Sequence, residues 1–338
     1  MKAVEGRYFR LSAGETSLVQ CELCPHRCSL RPGNFGRCKV RQGAEHGIDL
    51  PFFGTISSIS IDPIEKKPLY HYRPGTSIFS VGFVGCNMGC PFCQNWEISQ
   101  ETDIQFRIIK PAELIQLAVQ ARTKAIAYTY SEPLVHIEYL IEAMTEARKE
   151  GLANVLVSNG CILEAPARDV LALTDAANID LKSFRTETYK QRLGGDFSTV
   201  CRFLELAFEM GVHLEVTSLI VTGINDSLAE AESTIEFLSG LSPHIPWHLS
   251  AYHPAYRWRE PPTKPDILQN IKNLVRGRLN FVYVGNVWGE ENSTFCTYCG
   301  KVLIERHGYM ISTPNLEFNS ESSRYFCANC GKPTPIIY

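Results

Sequence analysis

The stretch Gly85–Asn95, GCNMGCPFCQN, carries Cys86, Cys90 and Cys93 within eight residues. Three thiolates are one short of a closed tetrahedral site and an odd number for a disulfide frame. Just before them runs SIFSVGFVG, short, apolar and partly β-branched, which reads as a strand. The cysteines therefore fall on a loop at a strand's C-terminal end. Working outward, AIAYTY, NVLVSNG, AANIDLKS, HLEVTSLIV, WHLSAY and NFVYVGN read as further strands. Helical runs separate them. PAELIQLAVQART opens on Pro, PLVHIEYLIEAMTEARKEG ends on a cationic turn and Gly, and CRFLELAFEMG stops at Gly. This alternation, from about residue 76 to 290, predicts parallel βαβ units, in either a barrel or a doubly wound sheet. In (β/α) folds chemistry sits at the strands' C-terminal ends, where this cysteine loop lies.

The other cysteines group as well. The chain has 338 residues, 13 of them Cys, and a net charge of −3. That charge argues against the whole chain being an electrostatic nucleic-acid binder. No apolar run approaches the ~18 residues of a membrane span, and MKAVEGRYFRLSAGETS lacks the apolar core of a signal peptide, so a cytoplasmic protein is expected. Disulfides rarely persist there, and clustered cysteines then point to metals. Cys21, Cys24, Cys28 and Cys38 form one set, suited to zinc or to an auxiliary iron–sulfur cluster. Cys296, Cys299, Cys327 and Cys330 form paired C-x2-C-G knuckles, which suit a structural zinc. Cys201, in VCRFLELAF, reads as a small buried hydrophobe, and Cys161 follows a strand end. Three regions are predicted: 1–75 with the first four-cysteine module and a connecting segment, 76–290 as the core, and 291–338 as a ribbon-like module.

CNMGCPFC fits the C-x3-C-x-aromatic-C signature of radical S-adenosylmethionine (SAM) enzymes, with Phe92 as the aromatic. The resemblance implies a partial (β/α)6 TIM-like barrel. It implies a [4Fe-4S] cluster on Cys86, Cys90 and Cys93, with SAM as ligand to the fourth iron. It also implies reductive SAM cleavage to a 5′-deoxyadenosyl radical that abstracts a hydrogen atom. YTYSEP resembles the superfamily's Gly-Gly-Glu-Pro-like segment, with Tyr130 and Ser131 where two glycines are usual; Glu132 would accept from the SAM ammonium. SNG, ending at Gly160, resembles the Thr-Asn-Gly of glycyl-radical-enzyme activases and marks Asn159. Asp180 and Lys182 of DLK project to one side and would lie against SAM. AYHP makes His253 a ribose-contact candidate. LIVTGIND resembles the superfamily's adenine-side motif. Each of these also has a plain structural reading: Glu-Pro opens helices, Asn225-Asp226 caps one, Asp180 and Lys182 pair as ions, and His253 packs.

Taken with CELCPHRCSLRPGNFGRCKVR and DPIEKKPLYHYRPGTSIFSVGFVG, these segments resemble the radical SAM member of the AmmeMemoRadiSam system, a group similar to pyruvate formate-lyase activating enzymes. That resemblance implies a low-potential electron donor of flavodoxin or ferredoxin type and leaves the substrate open. Glycyl-radical activation or another protein or peptide modification is the first expectation, and radical modification of a small molecule or RNA the second. A zinc-module scaffold without catalysis is the alternative of another class. Arg27, Arg31, Arg37, Lys39 and Arg41 make the first module locally basic, which suits an anionic partner or a solvated surface.

Overall fold

The computed structural model describes residues 4–11, 18–101, 103–290, 292–322 and 324–338. Its centre is an eight-stranded sheet. The strands are β1 (Ser58–Pro63), β2 (Ser77–Gly82), β3 (Ala125–Thr129), β4 (Ala153–Ser158), β5 (Ala176–Asp180), β6 (His213–Ile220), β7 (Trp247–Ala251) and β8 (Val282–Gly285). They lie side by side in chain order, with β1 antiparallel on β2 and every later pair parallel. Helices α1 (Pro111–Gln120), α2 (Ile137–Lys149), α3 (Glu164–Leu171), α4 (Phe197–Glu209), α5 (Leu228–Leu241) and α6 (Pro265–Leu274) fall between successive parallel strands from β2 onward. This is the α/β partial barrel expected of the sequence. β2 to β7 supply six parallel strands, β8 extends them, and β1 adds an antiparallel edge.

Local chemistry fixes the connections. Pro111 opens α1, which buries Leu114, Ile115 and Ala118. Asp196 caps α4 by accepting from the Thr199 N–H at 2.8 Å. Ser227, not Asn225-Asp226, caps α5. Asn225 instead braces a turn, donating to the Lys182 and Leu219 carbonyls at 2.8 Å each.

The barrel interior is filled from its N-terminal end by the segment after β1. Ile64, Leu69 and Tyr72 pack against Ile78, Ala125, Ala127, Ala153, Val155 and Ala176. Four alanines on the inner strand face leave the room this plug occupies. Polar bonds hold it in place. Buried Glu215 accepts from the Tyr70 and His71 N–H groups at 2.9 and 2.7 Å, and from His213 and His248 at 3.0 and 2.7 Å. Asn178 donates to the Pro68 carbonyl at 2.8 Å.

Both cysteine modules pack on this core. The C-terminal strands Thr294–Phe295, Val302–His307 and Met310–Ser312 form one small sheet, and Leu316–Asn319 pairs with Arg324–Cys327. Arg306 donates to the Tyr70 carbonyl at 2.5 Å, and Ile337 exchanges backbone bonds with His71 and Arg73 at 2.8 and 2.6 Å. At the other end, buried Arg41 meets Glu138 of α2 at 2.8 Å. Gly85, at φ +83°, lets the Cys38 carbonyl approach so closely that a Cβ there would lie 2.5 Å from it.

Candidate active site and metal centres

The loop after β2 turns back on itself. The Gly85 N–H donates to the Ile98 carbonyl at 2.8 Å and the Cys93 N–H to the Cys90 carbonyl at 3.2 Å. Cys86, Cys90, Phe92 and Cys93 line one cavity of about 360 Å³, together with Ser131, Glu132, Asn159, Asp180 and Lys182. The ends of β2, β3, β4 and β5 thus bring these sequence-predicted residues together. His253 stands apart. It is exposed, its Nε2 lies 3.3 Å from the Asn286 carbonyl, and it is not in the cavity lining, although Asn286 is. Cys161 is buried beside the loop, where its carbonyl accepts from Asn87 at 2.7 Å, and Cys201 is half-buried on α4.

Buried thiols resist ionisation in water. Burial pushes Cys86 well above the ordinary thiol range and Cys90 up to about 11. Such groups lose their protons to a metal more readily than to solvent. The Met88 N–H at 3.3 Å and the Asn159 amide at 3.6 Å already point at the Cys86 sulfur.

Glu132 is the most constrained acid in the cavity. It is buried, and it accepts from Ser158 Oγ at 2.6 Å, the Asn159 N–H at 2.8 Å and the Leu134 N–H at 3.0 Å. Desolvation nevertheless pushes its carboxyl up to about 7. Lys182 Nζ pairs with Asp180 at 2.9 Å; burial works against its charge, but Asp180 beside it holds the ammonium above its usual range. Asn159 is braced on three sides: its amide donates to Asn87 Oδ1 at 3.0 Å, its Oδ1 accepts from the Cys161 N–H at 2.8 Å, and its own N–H goes to Glu132.

Tyr130 takes the left-handed φ of +71°, a conformation that favours the glycine usual at this position. Its side chain secures it there. The phenol donates to Asp62 at 2.5 Å, and the Lys67 ammonium sits 4.2 Å from the ring centroid. Sequence reasoning missed this part of the cavity: Lys66, Lys67 and Pro68 of the plug, which join the lining with Thr217, Leu219 and Ser250, and Asp62 of β1, which holds both lysines from outside the lining. The one signal was compositional, the basic, Pro-containing run DPIEKKPLYHYRPG.

The outer cysteine sets differ. Cys296, Cys299, Cys327 and Cys330 bring their sulfurs within 4.8 Å of one another, with Cys296–Cys330 and Cys299–Cys327 both at 3.7 Å. A tetrahedral ion with metal–sulfur bonds of about 2.3 Å has sulfur–sulfur edges of about 3.8 Å, so the set fits a single ion. Among the described residues it is the one group gathered this tightly. Cys21, Cys24 and Cys38 are buried and Cys28 is half-buried in the N-terminal module, where Cys28 accepts from the Arg37 N–H at 3.4 Å. No described helix is long and apolar enough to cross a membrane.

Comparison with known proteins places this geometry. Residues 80–238 match the family model of the radical SAM superfamily. An uncharacterized protein of Methanocaldococcus jannaschii is 35% identical over 325 residues, 94% of this chain and 96% of its own length. The pyruvate formate-lyase 1-activating enzyme of Escherichia coli K12 is 21% identical over 52% of this chain and 74% of its own. A probable GTP 3′,8-cyclase of Methanococcus aeolicus is 22% identical over 67% of this chain and 80% of its own. The SAM-bound structure of Streptococcus suis SuiB superposes with a TM-score of 0.51 at 11% identity, over 61% of this chain and 50% of that one. With its three-cysteine loop at the end of the first parallel strand of a partial barrel, the chain belongs to the radical SAM superfamily.

Proposed function

We propose that this chain uses a [4Fe-4S] cluster and SAM to modify a protein or peptide by hydrogen abstraction, glycyl-radical activation being one form of that reaction. When bound, the cluster and SAM supply a 5′-deoxyadenosyl radical. The observation that carries the reading is that Cys86, Cys90 and Cys93 share one cavity with Glu132, Asp180 and Lys182. In this reading the three thiolates hold three irons. Glu132 accepts from the SAM ammonium, with Ser131 and Asn159 beside it, and Lys182 with Asp180 faces the carboxylate or ribose. Phe92, buried and in the same lining as the cysteines, helps keep water from them. His253 as a ribose contact has the least support, since it lies outside the lining.

A macromolecular substrate is supported by where the accessory segments lie. The plug closes the barrel's N-terminal end and the C-terminal module packs on the plug, so neither covers the mouth at the cysteine loop. A second reading, modification of a small molecule, draws on the similarity to a GTP 3′,8-cyclase. We assign zinc to the C-terminal four cysteines, and zinc or an auxiliary iron–sulfur cluster to the N-terminal four. The electron donor is of flavodoxin or ferredoxin type and the compartment is the reducing cytoplasm.

The test is anaerobic reconstitution. Wild type should bind about four irons and sulfides at the central site and, with SAM and reductant, form 5′-deoxyadenosine. A Cys86/Cys90/Cys93→Ala variant should lose those irons and keep the outer metals. Replacing Cys21, Cys24, Cys28 and Cys38 should remove zinc if that module is structural, or iron if it is an auxiliary cluster. No 5′-deoxyadenosine from iron-loaded wild type would overturn the reading and leave the non-catalytic scaffold.

A further inference from the structure

The roles assigned so far leave one side of the cavity unused. Its floor is made not by strands but by Lys66, Lys67 and Pro68 of the plug. Two ammonium groups there share one carboxylate: Lys66 Nζ lies 3.1 Å and Lys67 Nζ 2.7 Å from Asp62. Tyr130 Oη and Ser60 Oγ donate to the same carboxylate at 2.5 and 3.2 Å. Four donors use up the acceptor sites of one carboxylate, so Asp62 has nothing left to offer an incoming donor. The group as a whole keeps one positive charge in excess.

The two lysines are not equivalent. The Lys67 side chain is 2% exposed and is locked against Asp62 and the Tyr130 ring. The Lys66 side chain is 52% exposed, yet it lines the cavity. An ion pair that open contributes little, so Lys66 can leave Asp62 for another anion while Lys67 keeps the buried carboxylate paired. In the cavity wall, Thr217 Oγ1 is buried and has no partner among the described residues. An excess ammonium and an unpaired hydroxyl suit the oxygens of an anion. The backbone presenting them is fixed by Asn178 on Pro68 and by Glu215 on Tyr70 and His71.

We infer that the cavity floor takes an anionic group of the substrate, a carboxylate or a phosphate, with Lys66 as its counter-ion and the Thr217 hydroxyl as a second donor. The inference rests on the radical SAM reading, which gives the SAM ammonium to Glu132 and its carboxylate or ribose to Lys182. It makes Lys66 a specificity-determining residue.

The experiment uses the full chain with its iron restored, saturated with S-adenosylhomocysteine. Succinate, glycerol 2-phosphate and uncharged glycerol are titrated calorimetrically at constant ionic strength. Wild type should bind at least one of the two anions saturably and not glycerol. Lys66→Met should weaken that binding about tenfold or more, and Lys66→Arg should stay within about threefold of wild type. Affinity for S-adenosylhomocysteine should be the same in all three. Preference for succinate assigns a carboxylate, as on an acidic peptide, and preference for glycerol 2-phosphate assigns a phosphate ester. Equal anion affinity in wild type and Lys66→Met would overturn the proposal, as would no saturable binding by wild type. So would a parallel loss of S-adenosylhomocysteine affinity, which would give Lys66 to the SAM carboxylate. Failure of wild type to cleave SAM would refute the radical reading and is read separately from these titrations.

Discussion

Replacing Glu132 by Gln separates its two jobs. The carboxylate receives Ser158 Oγ and the Leu134 N–H on one oxygen and the Asn159 N–H on the other. A carboxamide has one oxygen, so in either orientation its NH2 group faces a backbone N–H. One buried donor is then unpaired, which costs about 1–3 kcal/mol of stability. If Glu132 receives the SAM ammonium as proposed, that charge-assisted bond would also be weakened, by about 1.5–3 kcal/mol, or roughly 10- to 100-fold in affinity. Anaerobic calorimetry with SAM, denaturant unfolding and iron counts measure the three quantities. Iron should stay near the wild-type value, since the thiolates sit on a separate loop. The pH profile supplies the sign. Burial raises Glu132 to about 7, and only the ionised form accepts well from an ammonium. Wild-type SAM affinity should therefore rise about tenfold from pH 6 to pH 8 and then level off, while Glu132→Gln should be flat. On folding the sign is opposite: a raised carboxyl stabilises below its unfolded value near 4.5, and that contribution is lost as pH rises through about 7. SAM affinity within threefold of wild type, alongside lowered stability, would refute the ligand role and leave Glu132 a helix cap.

Four other outcomes follow from the packing. Arg41→Met leaves Glu138 buried with the Arg7 N–H as its one remaining donor among the described residues, and should cost about 3–5 kcal/mol in urea unfolding; a loss below about 1 kcal/mol refutes the pairing. Tyr130→Gly should be more stable than Tyr130→Ala by about 1–2 kcal/mol in the same assay, because a Cβ at φ +71° is strained. Burial works against the Glu215 carboxylate, but His213 and His248 hold it well below the usual range, so it stabilises the neutral protein and that contribution is lost as pH falls below about 4.5. Acid unfolding of Glu215→Gln should show a shallower slope. Removing the zinc proposed for the C-terminal four cysteines should speed hydrogen exchange across residues 64–73 and leave residues 85–95 protected; equal deprotection of both refutes the link.

The seven parallel strands were legible because each is a short apolar run with a turn signal beside it, and the loops at their ends carried the cysteines, Glu132, Asp180 and Lys182. The edge strand β1 was not. In SISIDP the isoleucines Ile59 and Ile61 face outward at 37% and 56% exposure, while Asp62 is buried. An apolar-in pattern would assign that strand the wrong face, because its inner side serves a charged cluster rather than a core. The plug was illegible for a related reason. It packs inside a barrel whose wall comes from many distant strands, so its apolar residues follow no helical or strand period. Tyr130 shows the limit of a motif: a tyrosine where glycine is usual reads as a departure, and only the contacts with Asp62 and Lys67 explain how it keeps the backbone conformation.

The cavity is supported from two independent directions, and this shapes what each module can control. The N-terminal module touches the cysteine loop directly: the Cys38 carbonyl lies against Gly85, and the His26 ring meets the Asn87 carbonyl at 2.8 Å. Among the described residues, no bond of the C-terminal module reaches that loop. Its bonds to the core go to Tyr70, His71 and Arg73, the far end of the segment that carries Lys66 and Lys67, and to Tyr283 and Val284 of β8. A disturbance of the first four cysteines therefore reaches the Cys86–Cys93 loop first, and one of the last four reaches the plug and β8 first. If the floor selects the substrate, an ion at Cys296, Cys299, Cys327 and Cys330 would act on specificity, and one at the first module would act on the cysteine loop and so on cluster assembly or electron entry.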